Sequence, residues 1–145
     1  MNYENIAAEL LQIRAEFARI PEHQVINEFA RGEFFVLNYL LVHEDTAYPK
    51  ELSREMKVSS ARIAALLNQT DKKGWTMRTA DAEDSRQTLI TMTESGREAI
   101  MNKKKEIFDM VVEMLQELGE EDAQELLRIK RRINTNQKNK REKGK

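Results

Sequence analysis

Arg62 stands among small residues, with Ser59, Ser60 and Ala61 before it and Ala65 just beyond. A guanidinium can donate two parallel hydrogen bonds to guanine O6 and N7, or hold a phosphate oxygen, while Ala65 can touch a thymine methyl. Ser59 adds a hydroxyl and, at a helix start, free backbone N–H groups that attract an anion. Ser53, Arg54 and Lys57 lie just upstream and suit phosphate contacts, which set register without reading bases.

Other chemistry finds little support. The chain has no cysteine, so disulfides, thiolate metal sites and cysteine redox sensing are excluded together. It has no HExxH run and no glycine-rich phosphate loop, which leaves only generic serines and carboxylates, and points to no enzyme and no cofactor. His43-Glu44-Asp45 groups three metal-ligand types, with His23 elsewhere, but no later histidine completes a site. A turn of exposed acids is the reading kept, with no metal.

The elements that must position these residues follow from apolar spacing. Ile6, Leu10, Ile13, Phe17 and Ile20 mark one face of a helix predicted to end at Pro21. Arg31 to His43 reads as a second helix carrying Phe34, Leu37, Leu40 and Leu41 on one side, with Phe35 and Tyr39 nearer its edge. Pro49 opens a short helix with Leu52 and Met56, Val58 falls in a turn, and Ile63, Leu66 and Leu67 drive the next helix. Ser59 or Ser60 caps that helix and Gly74 ends it. Two short helices joined by a tight turn make a helix-turn-helix.

After Gly74 the period becomes two: Trp75 and Met77 share one face of a strand, and Arg86, Thr88, Ile90 and Met92 share one face of the next. Ala80 to Ser85 forms the polar, acidic tip. Thr93 begins a long helix ending near Gly119, and Leu126, Leu127, Ile129 and Ile133 lie on a last helix, beyond which the chain reads as frayed.

At 145 residues the chain fits one domain. No apolar run approaches the roughly 20 residues of a membrane span, and no leader pattern opens the sequence, so a cytoplasmic location is expected. The net charge is −1, and residues 31–92 carry nine Lys/Arg against nine Asp/Glu. Only a spatial arrangement of charges could make a basic face there.

The run Asp84-Ser85-Arg86-Gln87-Thr88-Leu89-Ile90-Thr91-Met92-Thr93, continued by Glu94-Ser95-Gly96, resembles the multiple antibiotic resistance regulator (MarR) family. Phe34-Phe35-Val36-Leu37, Glu51-Leu52-Ser53, and Leu66-Leu67 through Lys72-Lys73-Gly74 extend the similarity over about residues 30–100. The resemblance implies a mainly α fold with a small two-stranded β wing. A winged helix-turn-helix at about 30–98 would sit between dimerisation helices at 1–29 and 99–137, with a basic disordered tail at 138–145. It also implies a homodimer, a wing whose Arg86 enters the minor groove and whose Asp84 positions it, and a small-molecule crevice to which Phe17, Phe34, Phe35 and Tyr39 could contribute.

The expected function is a sequence-specific double-stranded DNA-binding transcription regulator, a ligand-responsive repressor acting as a homodimer on a pseudo-palindromic operator. Its DNA-binding set would be Arg54, Ser59, Ser60, Ala61, Arg62, Ala65, Asp84 and Arg86. The alternative is a winged-helix protein-interaction module without DNA binding. Several residues depart from the family pattern: Ala64 and Ala65 replace polar or basic side chains, Thr70 an aliphatic, and Trp75 a Leu or Ile. Ser85 replaces a basic residue at a tip that also carries Asp81 and Glu83, so that either the wing binds weakly or Lys72, Lys73 and Arg78 offset its acidity.

Overall fold

Capping and apolar spacing divide the chain into seven helices and three short strands among residues 2–144, which are the residues described by a computed structural model. Helix α1 spans Tyr3–Phe17 and starts where the Asn2 side chain accepts from the Glu4 N–H at 2.9 Å. The predicted stop at Pro21 is instead the start of α2, Pro21–Arg31. Proline holds the preceding Ile20 extended (φ −72°, ψ 123°) and is itself suited to a first helical turn, so it separates two helices.

Helix α3, Glu33–Val42, is followed by β1 (Thr46–Ala47), α4 (Pro49–Met56) and α5 (Ser60–Lys72). Strands β2 (Thr76–Ala80) and β3 (Thr88–Met92) form the expected hairpin, and β1 adds a third antiparallel strand on the far side of β3. The register pairs Arg78 with Ile90 and Ala47 with Ile90 on its other edge.

One core holds this winged part. Val36, Leu37 and Leu40 from α3 meet Leu52 of α4, Ile63, Leu66 and Leu67 of α5, Ile90 and Met92 of β3, and Ile100 of α6, which spans Glu94–Leu118. Each such side chain contributes at most about 1.5–3 kcal/mol from burial. The expected strand face is reversed at its start: Thr76 is buried and Met77 is 53% exposed. Thr76 is drawn inward by the buried Thr70 hydroxyl 2.7 Å away, a pairing that no alternation rule contains.

The run that carried the family resemblance works as a joint. Thr93 donates its hydroxyl to the Gly74 carbonyl at 2.5 Å and accepts the Gly96 N–H at 3.1 Å, which caps α6 against the residue that closes α5. A Cβ on Gly96 would stand 2.2 Å from the Trp75 carbonyl oxygen, so only glycine fits without a shift. Gly74 has φ +73°, the left-handed value expected of a residue closing a helix.

The contacts fall into two compact units that divide after Ile107. In the second, the end of α6 and α7 (Glu120–Lys143) enclose an apolar groove of about 410 Å³ lined by Val111, Met114, Leu115, Ala123, Leu126 and Leu127. The stretch from 138 onward, expected to be disordered, is helical through Lys143. Its Lys, Arg and Glu residues have good helix propensity, and no proline or internal glycine breaks the run before Gly144.

Candidate nucleic-acid interface

Helix α5 is pinned by Ile63, Leu66, Leu67 and Thr70, all buried, at spacings that keep one face down. The other face is therefore forced outward, and Ser60, Ala61, Arg62, Ala65, Asn68 and Gln69 are all exposed. Every base-reading position expected on this helix lies on that face. Small residues beside a long guanidinium let the backbone approach a groove floor while Arg62 reaches further.

The tight turn before α5 is built from Lys57, which takes a left-handed conformation (φ 55°, ψ 45°), and from Ser53, whose hydroxyl donates to the Val58 carbonyl at 2.6 Å. A serine hydroxyl has one hydrogen, so Ser53 has no proton left for a phosphate and is a structural brace. Ser59 differs. It accepts the Arg62 N–H at 3.1 Å, and its own hydroxyl hydrogen remains available to an anion at the helix start.

Between α4 and α5 runs an open cleft of about 300 Å³ lined by Pro49, Lys50, Ser53, Arg54, Ser60 and Ile63. Two cations and a helix-start serine on one cleft suit a phosphate. Lys50 is absent from the set expected from the sequence; it joins Arg54, four residues on along α4, only because α4 and α5 enclose a cleft between them.

At the wing tip, Asp84 Oδ1 accepts both the backbone N–H of Arg86 at 3.1 Å and its Nε at 3.2 Å. The Arg86 side chain stays 90% exposed, held at its root and free at its end. The acids have separate duties. Asp81 accepts the Tyr48 hydroxyl at 2.6 Å and the Glu83 N–H at 3.2 Å, tying the hairpin to the start of α4. The Tyr48 hydrogen bond holds the Asp81 carboxyl below the usual carboxylate range, and the same bond, then burial, raises the phenol.

Two of the three cations expected to offset this acidity are committed elsewhere. Arg78 donates to Asp71 at 2.7 Å and to Asn68 at 2.6 Å, and Lys73 donates to Glu33 at 2.5 Å while lying 4.7 Å over the Trp75 ring. Arg78 instead links β2 to α5. The bond from the Thr76 hydroxyl to Asp71 at 2.5 Å completes the link, so the hairpin base and α5 share one polar network.

The four aromatics considered for a ligand crevice have different neighbours. Phe17 stacks on His23 at 3.7 Å, Phe34 lies 5.5 Å from Trp75, and Tyr39 stacks on His43 at 3.9 Å, while Phe35 is half-buried on α3. They do not form one aromatic wall. Phe34 does line a separate crevice of about 260 Å³ with Glu28, Glu33, Arg62, Leu66, Gln69 and Lys73. Of the metal-ligand types near the α3 end, His43 Nδ1 meets the Tyr39 carbonyl at 2.7 Å and Asp45 is bound by Arg97.

Comparison with known proteins places this geometry. The family profile described as a winged helix DNA-binding domain matches residues 33–111. An uncharacterized HTH-type transcriptional regulator of Bacillus subtilis, YdgJ, is 33% identical over 97 residues, which is 67% of this chain and 59% of that relative. A MarR family protein from Bacillus stearothermophilus superposes with a TM-score of 0.71 at 19% identity, covering 95% of this chain and 99% of that one. A mutant of Staphylococcus aureus MepR bound to an oligodeoxyribonucleotide superposes with a TM-score of 0.64 at 17% identity, covering 90% of this chain and 96% of that one. The likeness expected from the wing run is therefore borne out in the fold.

Proposed function

Because this chain belongs to the winged helix DNA-binding domain family, we propose that it is a sequence-specific transcription regulator of duplex DNA. The observation that carries the reading is the exposed face of α5, where Arg62 stands among Ser60, Ala61 and Ala65 beside the Ser59-capped helix start. Arg62 and Ala65 read bases, Ser59, Lys50 and Arg54 hold phosphates, and Arg86 enters the minor groove from the wing. The MepR structure in complex with an oligodeoxyribonucleotide supports the partner class.

We further propose a homodimer acting as a repressor on a pseudo-palindromic operator. Uncovered apolar side chains support it: Leu10 and Ile13 on α1 are 62% and 55% exposed, and Phe108 on α6 and Ile133 on α7 are 67% and 53% exposed. Such stripes on amphipathic helices favour a second copy. The half-sites then lie about one helical turn apart, or a multiple of it. An effector in the crevice beside Phe34 would contact Arg62 directly, and would act by its difference in affinity between the DNA-ready and DNA-refusing states.

Selection of bound sequences from a random duplex pool, followed by anisotropy titration at low salt, tests the reading. Enrichment of a two-fold repeat is expected. No binding at low salt would instead favour a protein-interaction module, and a monomer in sedimentation equilibrium at micromolar concentration would remove the dimer.

A further inference from the structure

The charge of the chain is divided far more sharply than its net value of −1 shows. Residues 1–127 carry 15 Lys/Arg against 24 Asp/Glu, whereas residues 128–145 carry nine against Glu142 alone. All of the positive surplus thus lies on one segment. Its residues 128–143 continue α7, and every residue from Leu127 to Gly144 is exposed.

Like charges three and four positions apart on a helix repel, as Arg128, Arg131 and Arg132 do here, and an external counter-charge relieves that repulsion. Arg128 is partly answered by Glu125, with Nη2 donating at 2.5 Å, but no acid follows until Glu142. From Asn134 to Gly144 there is no apolar side chain. These turns therefore offer neither the seam of a coiled coil nor the apolar face with which an amphipathic helix enters a lipid surface. Lys130 and Arg141 project from the side opposite Arg128 and Arg132, so the charge surrounds the helix axis. Such a distribution suits the diffuse, regularly spaced phosphates of a duplex better than a single bound anion.

The winged part lacks what this helix holds. Residues 31–92 have equal numbers of cations and acids, and Lys73 and Arg78 are already paired with Glu33 and Asp71. Sequence-independent DNA affinity is almost wholly a matter of phosphates neutralised and counterions released. We infer that the basic half of α7, Arg128 to Lys143, is a second DNA-contacting surface. It adds phosphate affinity to the little that Lys50 and Arg54 give the electrically neutral reading head, an inference that rests on the DNA-binding reading above.

The test replaces Lys138, Lys140, Arg141 and Lys143 together with Gln, a good helix former, in turns with no apolar packing to lose. Binding of the full chain to a labelled random-sequence duplex of roughly 30 bp, about three helical turns, is followed by anisotropy from about 50 to 200 mM KCl. The slope of log K against log salt is expected to become shallower by about two to three, with affinity at the lowest salt reduced about tenfold or more. The ratio of selected-site to random-duplex affinity should hold. Arg62→Ala combined with Arg86→Ala should do the converse, lowering that ratio while keeping most of the slope.

A quadruple variant with the parental slope overturns this inference and leaves the DNA-binding reading intact. A change in its sedimentation mass overturns it also, because the charges then join copies of the chain. A parent that binds no duplex at low salt overturns both.

Discussion

Helix α5 and the wing are proposed to meet the same duplex, yet different physics holds each in place. Four buried side chains fix α5 from beneath, in a core shared with α3, α4, β3 and α6. From Met77 to Leu89 no residue of the hairpin is buried, and the tip is held by hydrogen bonds from Tyr48, Glu83 and Arg86 to two aspartates. Apolar burial spreads its effect over everything that shares the core. Hydrogen bonds between exposed or half-buried groups act where they stand. Damage beneath α5 should therefore appear as unfolding, and damage to the wing as lost binding by an intact fold.

The largest effect that could break this contrast lies in the core. Leu66→Ala removes a fully buried side chain and should cost about 2–5 kcal/mol of stability, read as a lower midpoint in urea with an unchanged slope. Arg86→Ala, on a side chain that is 90% exposed, should leave that midpoint within about 0.5 kcal/mol of the parent. Equal losses from the two substitutions would mean that the wing is part of the core after all.

The next effect sharpens the division between base reading and phosphate holding. Arg62→Ala should cost about 1–3 kcal/mol on the selected operator and relax the preference at one base pair of each half-site. Arg86→Ala should weaken binding to most sequences and reduce the salt slope by about one. Titration of both variants against the operator and its single-base variants separates them. Loss of preference in the wing variant alone would exchange the proposed roles.

The same contrast explains what the sequence disclosed. The run from Asp84 to Gly96 was legible because each residue does one local job: Asp84 receives Arg86, Ile90 enters the core, Thr93 caps α6, and Gly96 admits the Trp75 carbonyl. The exposed face of α5 was legible because the buried face leaves no alternative. Contacts that close at a distance were not. Nothing near Tyr48 announces Asp81, 33 positions away, and the inward turn of Thr76 depends on a hydroxyl of the preceding helix. Pro21 carries the signal of a stop as much as of a start, because proline ends one helix and opens another with the same local chemistry.

The smallest effect belongs to the Tyr48 to Asp81 bond, and its direction with pH can be worked out. The Asp81 carboxyl is held below its usual range, chiefly by the Tyr48 hydroxyl, so its contribution is full above the unfolded carboxyl pKa and is lost as pH falls through the folded value. The Tyr48 phenol is raised by that same bond and by burial. Its contribution is full below the ordinary phenol pKa and is lost as pH rises through the folded value. The anchor is therefore intact at neutral pH and loosens toward either extreme, on the acid side as the carboxyl is protonated. Hydrogen exchange at the Glu83 and Gln87 amides, whose bonds to the Asp81 side chain and the Asp84 carbonyl define the tip, should quicken relative to core amides as the carboxyl is protonated. Tyr48→Phe should give this faster exchange already at neutral pH and flatten its acid dependence, with the urea midpoint little changed. An unchanged acid profile in the variant would assign the depressed carboxyl to the Glu83 and Ala82 backbone N–H groups and leave the hairpin turn to hold itself.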